Sequence, residues 1–162
     1  VLPHFFGERA PYFQANLRGN ILGLNHNHTK EDILKATMEG IILNLRQIVQ
    51  RLDDKYRPSK QICLTGGMTN NTVIPQLFAD ICQKEIVVMD CPESSCKGAA
   101  MLAMKACDKL TAFPAWPNST HIYTPDETCA AIYNQLNQLF SQAVPQILSI
   151  NQQLTHFQQH FS

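Results

Sequence analysis

No run of about 18 consecutive apolar residues occurs anywhere in the sequence, so no membrane-spanning helix is expected. Nor does the chain open on a basic, then apolar, then small-residue segment, so no secretory leader is expected. Charge is scarce and balanced. Lys+Arg and Asp+Glu number 13 each, charged residues make up 16% of the chain, and the formal net charge is zero. That balance removes the electrostatic case for binding nucleic acid or an anionic membrane. None of the six cysteines (Cys63, Cys82, Cys91, Cys96, Cys107 and Cys129) stands in a Cys-x-x-Cys pair. The common zinc and redox spacings are therefore absent. The Gly-x-Gly-x-x-Gly fingerprint is missing, and so is a phosphate loop ending in Gly-Lys-Ser/Thr. No Ser/His/Asp or Cys/His arrangement follows from the spacing.

What remains is the balance of a folded soluble domain. Hydrophobic residues make up 44% of 162 positions, enough for one compact core. Most cysteines lie in apolar stretches, where a free thiol packs as a small hydrophobe, so reduced core thiols in a cytoplasmic protein are expected. The Asn118-Ser119-Thr120 sequon has no consequence in that compartment. Val1-Leu2-Pro3-His4-Phe5-Phe6 has no initiator Met and reads as the interior of a longer protein.

Residues 1–18 are irregular, and Gly19 to Leu24 alternates like a short strand. Thr29-Lys30-Glu31-Asp32 is a helix start, with a hydroxyl cap and acids in the first turn. The helix should run to about Asp53 with an apolar stripe at Leu34, Met38, Ile41, Leu45, Ile48 and Leu52. Ile33, Ile42 and Val49 add a second row, which favours burial within a domain over a coiled coil. Gly40, costing about 1 kcal/mol against Ala in mid-helix, implies close packing there.

A strand–helix rhythm follows. Ile62 to Leu64 is a short strand, Gly66-Gly67 a turn, Thr72 to Gln83 a helix with Pro75 in its first turn, and Ile86 to Met89 an apolar strand buried on both faces. Ser94 to Lys109 is another helix. The pattern predicts a parallel or mixed sheet flanked by helices. Residues 111–123 read as a Pro-rich connection. Thr124-Pro125-Asp126-Glu127 reads as a capping box opening a helix to about Ala143, which Pro145 should break or kink before a second, Gln-rich helical tail with a solvated polar face.

Chemistry concentrates at Leu64-Thr65-Gly66-Gly67-Met68-Thr69-Asn70-Asn71. Paired glycines let a flat ring or a phosphate approach the backbone, because no Cβ intervenes. The helix start beyond them offers unpaired N–H groups and a positive dipole end. Asn carries both a donor and an acceptor, suited to an adenine edge. An ordinary turn is the plain alternative from these residues alone. His26-x-His28, with no third ligand, gives no expected metal site. Asp53-Asp54 reads as a solvated helix end, Glu8-Arg9 as a local surface pair, and Glu39 as a partly exposed carboxylate able to order a loop. The small residues Gly98-Ala99-Ala100 imply a helix packed closely on a strand.

Beyond their physics, these segments resemble a known family. Gly19-Asn20-Ile21-Leu22-Gly23-Leu24, followed after seven residues by Asp32-Ile33-Leu34-Lys35-Ala36-Thr37-Met38-Glu39, resembles the second signature of the FGGY carbohydrate kinases. Gly7-Glu8-Arg9-Ala10-Pro11-Tyr12-Phe13 is similar to the family's Gly-Glu-Arg-Ala-Pro-Tyr-Trp segment. Gly66-Gly67 with Gln76 to Ile81 resembles its adenosine turn and following helix. Glu93-Ser94-Ser95-Cys96-Lys97-Gly98-Ala99-Ala100 resembles its Gly-Ala-Ala helix, in the form closest to gluconate kinases.

The resemblance implies an α/β fold: the C-terminal lobe of an actin-like ATPase (ribonuclease H-like) fold, a mixed sheet flanked by helices. The whole of 1–162 would be a partial C-terminal domain, with a nucleotide-binding core at 1–110 and a helical tail at 124–162. It implies ATP bound at Gly66, Gly67, the backbone of Met68, Asn70 and Asn71, where Asn71 aligns with an Asn that contacts nucleotide in glycerol kinases. Met68, Thr69 and Asn70 depart from the family's commoner Gly-Gly-Gly/Ala-x-Ser form. Mg²⁺, the catalytic base, both phosphate loops and most contacts to a sugar or sugar-acid substrate would belong to a missing lobe, leaving no catalytic residue in this chain. Gluconate is the expected acceptor and xylulose or another pentulose the alternative. A stand-alone nucleotide-binding module is the reading of a different class. Homodimerisation through the C-terminal helices is a further expectation.

Overall fold

The computed structural model describes residues 1–89, 91, 93–114 and 119–161. Its first regular element is α1, Lys30–Lys55. Thr29 caps it as the sequence predicts: Thr29 Oγ1 accepts from the Asp32 N–H, and the Asp32 carboxylate accepts from the Thr29 N–H at 2.9 Å. Strand β1, Gln61–Leu64, leads through a 3-10 turn, Gly66–Asn70, into α2, Val73–Cys82. Then come β2, Glu85–Met89, α3, Ser94–Ala106, β3, Ser119–Tyr123, and α4, Ala130–Phe161. β1 pairs parallel with β2 from Gln61↔Glu85 to Leu64↔Val88. β3 pairs antiparallel on the other side of β2, from Ile86↔Tyr123 to Met89↔Ser119.

α2 lies at the centre, against α1, β2 and α4. Its Phe78, Ala79 and Ile81 are buried with Ile86 of β2 and Ile42 and Leu43 of α1. Each large side chain among them contributes about 1.5–3 kcal/mol by leaving water. Gln83 ends α2 in the left-handed region at φ 52, its N–H bonded to Ala79 O. Arg46 crosses this core, bonded to oxygens of the backbone and of an amide. Its guanidinium donates to Ile81 O, Tyr133 O and Asn134 Oδ1, so it joins α1 to the end of α2 and to α4.

Several expectations are corrected. Gly19 to Leu24 forms no strand; the segment makes one antiparallel bridge, Asn20 with Leu2. The expected apolar stripe of α1 is only partly its buried face: Leu45 packs against the core, and Met38 and Ile48 are half-buried. Gly40, Ile42, Leu43 and Arg46 point inward, whereas Leu34, Ile41 and Leu52 are 63%, 43% and 52% exposed. Gly40 does mark a close approach: a Cβ there would lie 2.3 Å from Val1 O. The connection read over 111–123 ends in a strand, β3, and 115–118, including Asn118 of the sequon, lie outside the described residues. The cap after it is Asp126, accepting from the Thr128 N–H before a short 3-10 turn, not Thr124.

Pro145 does not end the last helix. α4 runs uninterrupted from Ala130 to Phe161 because both halves are anchored. Phe140 and Val144 pack before the proline, while Asn151 and Thr155 are buried after it. Asn151 Oδ1 accepts from Asn20 Nδ2, and Thr155 Oγ1 donates to Asn16 O at 3.0 Å. All six cysteines are free thiols, but they are not all in the core: Cys82 and Cys91 are buried, whereas Cys63, Cys96 and Cys107 are exposed. Burial pushes the Cys82 thiol up to about 12.

Candidate functional site

The carboxyl ends of the parallel strands β1 and β2 open on the same side of the sheet, the end at which open α/β sheets bind their ligands. The Gly66–Asn70 turn leaves β1 there, and α3 begins there beyond β2. Thr65 Oγ1 and Ser94 Oγ stand 2.8 Å apart and tie the two departures together.

Within the turn, Gly66 sits at φ +77, a conformation that L side chains rarely adopt. Thr69 Oγ1 donates to Gly66 O at 2.7 Å and closes the turn. Gly67 is exposed, and among the described residues a Cβ built there meets nothing within 4 Å. Met68 is half-buried and packs against the core. Asn70 and Asn71 are exposed. Asn71 Oδ1 already accepts from the Val73 N–H at 2.7 Å and so starts α2. That bond takes one lone pair of Oδ1 and fixes the orientation of the amide, with Nδ2 still a donor. The 3-10 turn also sets the start of α2 back from the glycines. The helix N-terminus tied to the turn is that of α3, which has no side-chain cap.

α3 departs from expectation. Gly98 has nothing within 4 Å of a built Cβ, and Ala99 and Ala100 are exposed, so this small-residue stretch is not closely packed on a strand among the described residues. The glycine turn and the small face of α3 are both open. Sequence reasoning missed Thr65 and Ser94, the pair that holds these elements together. A hydroxyl directly after a strand and another opening a helix were the available signal.

The remaining candidates have structural roles. Glu8 is buried and accepts from the N–H groups of Tyr12 and Phe13 at 2.9 and 3.0 Å, rather than pairing with Arg9. Glu39 accepts from Tyr133 Oη at 3.1 Å and stands 3.9 Å from Lys35 Nζ. Burial, then the charge of Glu39, raises the Tyr133 phenol above its ordinary pKa. Asp53 pairs with Lys84 at 2.7 Å, and the hydrogen bond from Lys84 holds its carboxyl below the usual range. His28 Nδ1 accepts from the Asn25 N–H and folds its own loop. An apolar cavity of about 300 Å³ lies between the first residues, α1 and α4, lined by Leu2, Leu22, Leu43 and Phe140 among others. Its one carboxylate, Glu39, is the one bonded to Tyr133, and no residue of the glycine turn reaches it.

Comparison with known proteins gives one consistent answer. A family model, "FGGY family of carbohydrate kinases, C-terminal domain", matches residues 1–107. Gluconokinase of Bacillus subtilis (strain 168) is 37% identical over 142 residues, covering 85% of this chain and 28% of that protein. Xylulose kinase of Lactococcus lactis subsp. lactis (strain IL1403) is 29% identical over 163 residues, covering 96% of this chain and 32% of that protein. The crystal structure of gluconate kinase from Lactobacillus acidophilus superposes with a TM-score of 0.79 at 31% identity, over 91% of this chain and 30% of that one. The chain thus spans under a third of the length of these relatives, and its fold is the α/β, actin-like ATPase fold of sugar kinases.

Proposed function

The chain belongs to the FGGY family of carbohydrate kinases, as part of its C-terminal domain, and from that premise we propose that it is the nucleotide-holding part of a kinase transferring the γ-phosphate of ATP to a hydroxyl of gluconate. The observation that carries the reading is the uncovered Gly67 backbone at the carboxyl ends of β1 and β2. A flat adenine or ribose lies against Gly66 and Gly67, with the Met68 backbone at its edge. Asn70 is exposed beside it, and Asn71 Nδ2 donates to an acceptor on the nucleoside. The uncapped start of α3 favours negative charge nearby.

Transfer itself depends on positioning and on stabilising charge around the γ-phosphate. No catalytic base is assigned to this chain; the base, the phosphate loops and most sugar contacts belong to the rest of the intact kinase. Mg²⁺ would enter with the phosphates, and no step is assigned through it; among the described residues no group of three or more His, Cys, Asp or Glu forms a cage for a metal. In the intact enzyme, closure of the two lobes brings nucleotide and sugar together and excludes water. A cytoplasmic homodimer joined through α4 completes the proposal.

Gluconate is favoured by the gluconokinase relative and by the Glu93 to Cys96 segment. Xylulose is the second reading, supported by a xylulose kinase whose likeness covers 96% of this chain. Phosphorylation of each sugar by the intact protein decides between them. For the chain alone, calorimetry should show ADP binding with a Kd on the order of 0.1–1 mM, and no phosphorylation of gluconate. Absence of both heat and a melting shift would overturn the nucleotide site, and robust turnover by the chain would overturn the division of labour. A stand-alone nucleotide-binding module predicts the same heat, but a gene whose reading frame has no Asp-Gly-Thr loop upstream.

A further inference from the structure

The far end of α4 carries two histidines that the proposed function does not use. His156 and His160 are one helical turn apart, both exposed, with ring centroids 4.1 Å apart and ring planes at 22°. Residues at i and i+4 share one face of a helix, so the backbone itself holds the pair together. His160 Nδ1 lies 2.8 Å from His156 O. A carbonyl oxygen only accepts, so Nδ1 carries the proton and the neutral ring presents its lone pair at Nε2. A backbone carbonyl on one ring nitrogen is the outer support that commonly orients a metal-binding histidine and fixes its tautomer.

We propose that His156 and His160 form a bidentate site for a divalent transition ion of the Zn²⁺ or Ni²⁺ class. Imidazole nitrogen suits these ions. Two such nitrogens, each about 2.0–2.1 Å from one ion, stand roughly 3 Å apart with their lone pairs converging, so the His156 ring turns out of its stacked contact as the ion enters while His160 keeps its bond to the backbone carbonyl. Helical histidines at the same i, i+4 spacing supply two of the three zinc ligands in His-Glu-x-x-His enzymes. Here water fills the other positions, consistent with no three-residue metal cluster among the described residues. The contrast with His26-x-His28 is physical. Those two lie in a loop, and His28 Nδ1 is already occupied by the Asn25 N–H.

The test uses the ¹⁵N-labelled chain and NiCl₂, whose paramagnetic ion broadens nearby amide signals. Broadening should centre on the last two turns of α4. His156→Asn and His160→Asn should each weaken binding at least tenfold with the helical circular dichroism unchanged. The double variant His26→Asn/His28→Asn should bind as the parent does. Broadening centred on the cysteines or on residues 26–28, or affinity unchanged in His160→Asn, overturns the proposal.

Discussion

Gly66 and Gly67 are adjacent, yet the fold uses them for different reasons. Gly66 is required by conformation, at φ +77, whereas Gly67 has no positive φ and no steric neighbour among the described residues. Stability and ligand binding should therefore separate. Gly66→Ala forces a side chain into a strained region and should lower stability by about 1 kcal/mol, whatever happens at the site. Gly67→Ala should fold with equal or slightly greater stability, since it restricts the unfolded chain by about 0.4–1 kcal/mol. Gly67→Leu should fold as well but fill the surface on which a flat ring would lie. Thermal melts with and without ADP check this: Gly67→Leu should keep the parent's melting temperature and lose the shift produced by nucleotide. If Gly67→Leu retains that shift, the ring does not lie on Gly67, although a nucleotide could still bind elsewhere.

At the scale of elements, α4 shows where local rules stop. Proline inside a helix removes one backbone bond and costs about 3 kcal/mol, yet α4 continues through it. The compensation is tertiary, from Asn151 and Thr155 bonded to residues 16–20 at the other end of the chain. Pro145→Ala should therefore stabilise the chain, by about 2 kcal/mol once the greater freedom of the unfolded chain is subtracted. That corresponds to a rise of roughly 4–8 °C in melting temperature; a fall would mean that the proline itself is needed for the packing of α4. The same distinction decides what the sequence could disclose. The start of α1 was legible because its capping box is complete within four residues, and β2 because its apolar run is buried on both faces. β3 was not legible, because it follows a Pro-rich stretch and is defined by pairing with β2, more than 30 residues earlier. At the site, the glycine turn could be read from residue type. The bond that commits Asn71 Oδ1 and the openness of α3 around Gly98 could not, since both depend on backbone path.

For the molecule as a whole, the outer row of α1 is the unresolved surplus of apolar surface. Periodicity placed Leu34, Ile41 and Leu52 in a core, and the fold instead leaves them 63%, 43% and 52% exposed. Among the described residues, β1 beside the core pairs on one edge, with β2. The chain spans under a third of the length of its relatives, and in the proposed kinase the remaining parts would be laid on such surfaces. On that reading the periodicity identified a real core face, but one completed by residues outside the chain. A comparison across two contexts follows from this. In the chain alone, Leu34→Gln and Ile41→Gln should each change stability by less than about 0.5 kcal/mol, as surface substitutions do, and should reduce any concentration-dependent self-association by shrinking the exposed patch. In the intact protein the same substitutions would place an amide in a buried seam and cost about 1.5–3 kcal/mol each. Denaturant midpoints measured in both contexts give the difference directly. Equal and small effects in both would show that the row faces solvent in the whole kinase too, and that the periodicity of α1 reflects something other than a shared core.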